Sequence, residues 1–304
     1  MKQNIGILML LLIILSAACT YDENVKASET PELIYGKYTL PQGEHDYDTK
    51  IVEFYTENNS LLLYKFNDRD FGWNVTGTIL WNPVTDTTGG NYEYEIANEL
   101  YVGYQLELLN QKCFKYFPED WLKTLLPQRI LLCSKLNAVT GMLDHYPTEE
   151  DRELRHVVKG YHHFAVNWGN QNILSMTAEQ RNEFKVEMCK TFLRYIYPDA
   201  DSGNDLLGRP DLFATVSTYS NDNSSGEYAN GILNSEHKNS IREDWFDYII
   251  AIVSNSYAEL TAEGGILNAE VDVNGKIREK YDIMVNFFKT EHNFDIQAIG
   301  NDVE

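Results

Sequence analysis

Residues 155–168 read RHVVKGYHHFAVNW and hold three of the chain's seven histidines, two of them adjacent. Thr148-Glu149-Glu150-Asp151 comes shortly before and forms an acidic turn that suits a helix N-terminus, so the stretch is expected to lie on a helix ending near Trp168-Gly169. On a helix, His162 and Val166 stand one turn apart on one face, with His163 about 100° round. Two imidazoles at i and i+4, with a glutamate directly after the first, make the H-E-x-x-H metal site: the imidazoles share a zinc and the carboxylate takes a proton from its bound water. Here valine stands where the second imidazole belongs, and an imidazole where the carboxylate belongs. These residues argue against ordinary zinc hydrolysis. The plainer reading of a histidine pair on a helix is a hydrogen-bonded pair with no metal.

The chain opens with Met1-Lys2-Gln3 and an apolar run over 5–15, long enough for a signal-peptide core and short for a membrane span. Ser16-Ala17-Ala18-Cys19 follows, small residues before a cysteine, as in a bacterial lipoprotein cleavage box with Leu15 one place early. The expectation is a signal peptide over 1–18, lipidation of Cys19 and a polar tether over 19–35. Tyr21-Asp22-Glu23 beside the anchor resembles a surface-export signal, so a lipid-anchored, surface-exposed place in the outer membrane is expected.

Without Lys2 the mature chain carries 24 Lys+Arg against 46 Asp+Glu, a net charge of 24 − 46 = −22. Such a surface repels phosphate, so no nucleic acid is expected as a partner, and membrane attachment runs through the lipid alone. Cys113, Cys133 and Cys189 remain, an odd number, widely spaced and without a CxxC pair; they read as buried small hydrophobes, not as a disulfide framework or a zinc site.

Residues 49–55 suit a short helix and 61–66 (LLLYKF) a strand, while 68–90 read as turns and edge pieces. One long amphipathic helix is expected over 92–117, stopped by Pro118, and a buried strand at 129–133 (RILLC). Beyond 170 the pattern is helical: 177–197 opening on a Thr177/Gln180 capping box, 242–260, and 277–291. The Gly/Asn/Ser-rich 199–240 between them has the length of a functional or mobile connection. The aromatic residues Tyr161, Phe164, Trp168, Trp245, Phe246 and Tyr248 are first of all packing candidates, with stacking on sugar rings as the functional alternative.

Taken in order, the lipoprotein leader, the RILLCS strand, His162-His163-Phe164-Ala165, Glu243-Asp244-Trp245-Phe246-Asp247 and the closing KYDIMVNFFKTEHNFDIQAI resemble the putative zinc-binding metallopeptidase lipoproteins, also called substrate import-associated zinc metallohydrolase lipoproteins. The resemblance implies an α+β, zincin-like domain over 36–304, with a sheet-bearing lobe at 36–170, a mostly helical lobe at 171–304 and a cleft between them. It implies His162 and Asp247 as remnants of the metal ligands, with His163 in the place of the catalytic glutamate. Two ligands fall short of the three of a catalytic zinc. His145 and His237, in loops, are the other histidines that could complete a set. The expectation is therefore a non-catalytic lipoprotein without a cofactor, partnered by outer-membrane proteins of glycan or peptide uptake or by an extracellular ligand. The alternative is a zinc-dependent hydrolase with non-standard ligands.

Overall fold

The computed structural model describes residues 38–74, 77–78, 80–82, 91–140, 147–199, 204–220 and 227–303. The leader, Cys19, the tether and His145 lie outside them. The chain divides into two compact units, Met1–Leu40 and Pro41–Glu304, and the elements below belong to the second. In chain order they are α1 (Asp46–Asn58), β1 (Leu61–Leu63), α2 (Asp68–Gly72), β2 (Trp73–Asn74), β3 (Gly77–Thr78), β4 (Tyr92–Ile96), α3 (Val102–Lys112), α4 (Glu119–Leu125), β5 (Arg129–Val139), β6 (Arg152–Leu154), β7 (Val157–Lys159), β8 (His163–Val166), α5 (Ala178–Ile196), α6 (Asp211–Val216), α7 (Ile241–Ser254), α8 (Tyr257–Thr261), α9 (Lys276–His292) and α10 (Gln297–Asn301). The class is α+β, with one open six-stranded sheet and a small β2–β3 ribbon. Among the described residues no helix is long and apolar enough to cross a membrane.

The sheet is built on β5. Its sequence RILLCSKLNAV is buried over its first five and last four residues. The first half runs parallel to β1, with Leu61 opposite Arg129, and parallel to β8, with Arg129 opposite His163. The second half pairs antiparallel with β4 and with β6. β7 closes against β8 as a hairpin, Val157 opposite Val166.

Three sequence expectations are corrected here. The segment expected to be the histidine helix is a 3₁₀ turn at Glu149–Asp151 followed by β6, β7 and β8. HFAV is a short apolar run buried at every position, the signature of a strand with neighbours on both faces, which periodicity does not separate from a buried helix. The long helix expected at 92–117 begins as β4, whose Tyr-Glu-Tyr-Glu-Ile alternates with period two; only Val102–Lys112 is α-helical, with a 3₁₀ turn at Phe114–Tyr116. Residues 242–260 also divide, at an extended Asn255, into α7 and α8, and Ser256 with Glu259 caps the second piece. The Thr177/Gln180 capping box, by contrast, opens α5 as read from the sequence.

At the sheet's back, α5 packs against β7, α3 and α7. Phe117, from the first half of the chain, stacks on Phe294 at 5.2 Å, Trp121 leans on the same ring at 4.8 Å, and Phe117 meets Phe192 of α5 at 4.7 Å. These rings tie the sheet-bearing half to the helical half. The connection at 199–240 is folded onto that half where it is described: Phe213 of α6 is buried against Trp245 and Tyr248 of α7, at 4.8 and 5.4 Å.

A fully buried ion pair fastens the helical half. Asp244 of α7 and Lys280 of α9 are both 0% exposed, with Nζ 2.5 Å from Oδ2. Lys280 also donates to the Gly231 carbonyl at 2.9 Å and to the Tyr219 hydroxyl at 3.0 Å, and Tyr219 donates to Asp244 at 2.7 Å. The ring of Phe213 stands 4.7 Å from Nζ. Burial pushes the carboxyl up and the amine down in pKa, and each charge offsets the other's shift. Removing one partner leaves an uncompensated charge, so Lys280→Met is expected to cost about 3–5 kcal/mol in urea unfolding. Lys280→Met with Asp244→Leu should recover part of that loss; a single variant as stable as wild type would show that the pair holds nothing together.

Candidate functional site

The β7–β8 hairpin places both adjacent histidines, but not on one helix face. Gly160, Tyr161 and His162 form the connection. A Cβ at Gly160 would lie 2.0 Å from His163 Cε1, so glycine is what lets the hairpin close over that ring. His162 is half-buried with its ring 4.1 Å from that of Tyr161, and its carbonyl accepts from the Arg129 amide. His163 starts β8 and is 1% exposed. His162 lies in the connection before β8 and Val166 ends that strand, and four residues of extended backbone span about 13 Å, so the one-turn spacing that suggested a zinc pair does not exist here.

His163 faces a buried polar cluster. Arg129, opposite it in the register, pairs with Asp70 of α2 at 3.3 Å, the two side chains 7% and 5% exposed. Burial, with the Arg129 guanidinium beside it, lowers the His163 pKa to about 4, and His163 Nε2 has no hydrogen-bond partner among the described residues. Burial and Arg129 also lower His162. Both rings are thus held neutral at ordinary pH. The third histidine of the stretch, His156, accepts at Nδ1 from Trp168 Nε1 at 2.8 Å, and its Nε2 lies 3.5 Å from Glu183, a packing role at the sheet–α5 boundary.

Asp247 lies on α7, and its carboxylate is paired with His237, Nδ1 to Oδ2 at 2.7 Å. Burial raises the Asp247 pKa, and the histidine counters the rise. An ionised carboxylate only accepts, so the proton of this hydrogen bond is carried by Nδ1. His237 is 29% exposed on its side chain. From the sequence His237 was one loop histidine among others; its spacing to Asp247 carries no helix or strand signal, because an intervening turn and cap, Ser240, set the approach.

The zinc fit can be tested on these groups. A catalytic zinc takes three protein ligands. Among the described residues no group of three or more His, Cys, Asp or Glu side chains is gathered to hold a metal ion. His163 is sealed under Gly160 and the Asp247 carboxylate is engaged with His237. The set His162, His163, Asp247 does not fit a catalytic zinc centre.

A concavity of about 1020 Å³ lies elsewhere, between α1, α3 and α4. Phe54, Leu62, Leu106, Phe114 and Leu122 supply its apolar surface, and Phe54 leans on Phe114 at 5.1 Å. Glu57, Glu107, Glu119 and Asp120 line it together with Lys50 and Lys123, an acidic excess. Sequence reading had no route to this groove, since its three walls come from separate helices and the 92–117 stretch was read as one rod.

The buried histidine sets an acid sensitivity. At pH well above 6.5 both folded and unfolded chains hold a neutral ring. As the pH falls from 6.5 to about 4 the unfolded chain takes up a proton that the folded chain refuses, so stability falls by about 3 kcal/mol over that interval. Below about 4 both are protonated and nothing more is lost. His163→Gln keeps the approximate size and drops the titration; urea midpoints measured from pH 7 to pH 4 should fall less steeply for the variant, and identical slopes would refute the assignment.

No family model, curated protein or solved structure matches the chain.

Proposed function

We propose that this chain is a non-catalytic binding protein of the outer membrane, lipid-anchored through Cys19, that holds a peptide segment for a nutrient-uptake system in the groove between α1, α3 and α4. The observation that carries this reading is the groove itself: an apolar floor that takes aliphatic or aromatic side chains and an acidic rim that complements basic ones. The leader and the Ser16-Ala17-Ala18-Cys19 box support the anchor. Within this proposal the zincin-like resemblance contributes the setting, an uptake system, and not the chemistry, because the helix that would carry its metal ligands is strand β8.

The alternative of a hydrolase with non-standard groups has one observation in its favour, the His237–Asp247 pair, in which a carboxylate orients an imidazole as in general-base sites. It then rests on His237, not on His162.

Two measurements test the proposal. Cys19→Ala should block lipid attachment, and the variant should leave the detergent phase that holds the wild type; unchanged partitioning would remove the anchor. For the groove, a ten-residue amphipathic peptide with alternating leucine and lysine should bind in calorimetry, and Leu106→Asp should weaken it at least tenfold while the fold is kept. Binding of neutral oligosaccharides in place of the peptide would redirect the ligand class to glycans, and peptide binding unaffected by Leu106→Asp would place the site elsewhere. Peptide products that vanish with His237→Ala would establish the hydrolase.

A further inference from the structure

Cys113 ends α3 as its C-cap, and Cys189 lies within α5. The two helices pack on one another, and both side chains are 0% exposed. Cys189 Sγ is 3.7 Å from the carbonyl oxygen of Lys112, the residue bonded to Cys113. Burial first, and then Cys189 beside it, raise the Cys113 thiol pKa. Cys133 belongs to a different place: it sits in β5 with its sulfur 3.8 Å from the Leu131 carbonyl. The three cysteines among the described residues thus resolve into a facing pair and a singleton, which sequence spacing does not show because 76 positions separate the pair.

We infer that Cys113 and Cys189 are a disulfide site, thiols as they stand in this structure and cross-linked when the chain folds in an oxidising compartment. The reaction is thiol–disulfide exchange with an oxidant that carries a disulfide, an envelope dithiol oxidase or, in the test tube, oxidised glutathione. One thiolate attacks the oxidant's disulfide and expels one of its sulfurs. The second protein thiolate then attacks the mixed disulfide, so the Cys113–Cys189 S–S bond forms and the oxidant leaves as two thiols, having taken two electrons and two protons. Burial raises the Cys113 thiol pKa and shields both sulfurs, so the exchange belongs to folding and the closed bond resists later reduction. Exported chains are where such bonds persist. Residence in that compartment rests on the export reading above, whereas closure of the pair does not.

The cross-link would also steady the proposed binding groove, since Phe114 of its floor directly follows Cys113.

The test is a thiol map on the wild-type chain. Denatured, reduced protein is refolded in a mixture of oxidised and reduced glutathione, unfolded again in the presence of an alkylating agent, and digested; a second sample is reduced before alkylation. The expected result is that the Cys133 peptide is alkylated in both samples, and the Cys113 and Cys189 peptides only after reduction, with a linked 113–189 peptide in the first. The oxidised protein should melt about 5–10 °C above the Cys113→Ser, Cys189→Ser double variant. Alkylation of all three cysteines without reduction overturns the inference, whether or not the double variant folds. The same map on protein taken from the envelope reports the resident state; a failed export reading would show in the Cys19→Ala fractionation and leave the refolding result standing.

Discussion

The constraint on which the sheet depends is that one strand, β5, must have partners on both edges along its whole length while both of its faces are covered. Eleven residues of backbone, mostly out of water, cannot leave donors and acceptors unmatched. No single neighbour satisfies them: β1 and β8 serve the first half, β4 and β6 the second. Where the chain turns away at the end of β8, the Gln105 side chain fills the gap, its amide nitrogen lying 2.7–3.2 Å from the carbonyls of Cys133, Val166 and Asn167. Gly169 is tied to the same spot, because a Cβ there would meet Ala97, Gln105 and the Cys133 carbonyl at 2.5–2.9 Å. A side chain from α3 thus completes the hydrogen bonding of the sheet, and α3 is in turn a wall of the groove.

The helical half relies on a different device. Asp244, Lys280 and Tyr219 form a closed polar knot inside aromatic surroundings, and a knot of this kind is unforgiving: it tolerates one arrangement of α7, α9 and the connection that brings Tyr219, and penalises every other. Apolar packing alone would allow these helices to slide.

Helices with strong periodicity and proper caps were legible in the sequence. Thr177 with Gln180 fixed the start of α5, and the apolar stripe of Tyr281, Met284 and Phe288 fixed α9. The central run RILLC was legible as a strand because it follows Pro127 and is wholly apolar after Arg129. The histidine segment was not, because His163-Phe164-Ala165-Val166 presents an apolar run whose length and composition suit a buried strand and a buried helix equally. The tie is broken by β5, which lies outside any local window. For the same reason the site residues separated: His162 and His163 were placed by a helix period they do not follow, whereas Asp247 was placed correctly on its helix and paired with a histidine that local spacing could not select.

The parallel pairing of β5 has a consequence for the order of events in the life of the chain. Leu61 must meet Arg129, and Arg129 must meet His163, so the organising strand bridges segments whose ends lie about a hundred residues apart. Closing such loops costs entropy before any pair rewards it, and folding slows with the mean separation of contacts. Until residue 166 has emerged, RILLC is an apolar stretch with one edge unpaired. A chain built this way can complete its central pairing only after more than half of it has been made.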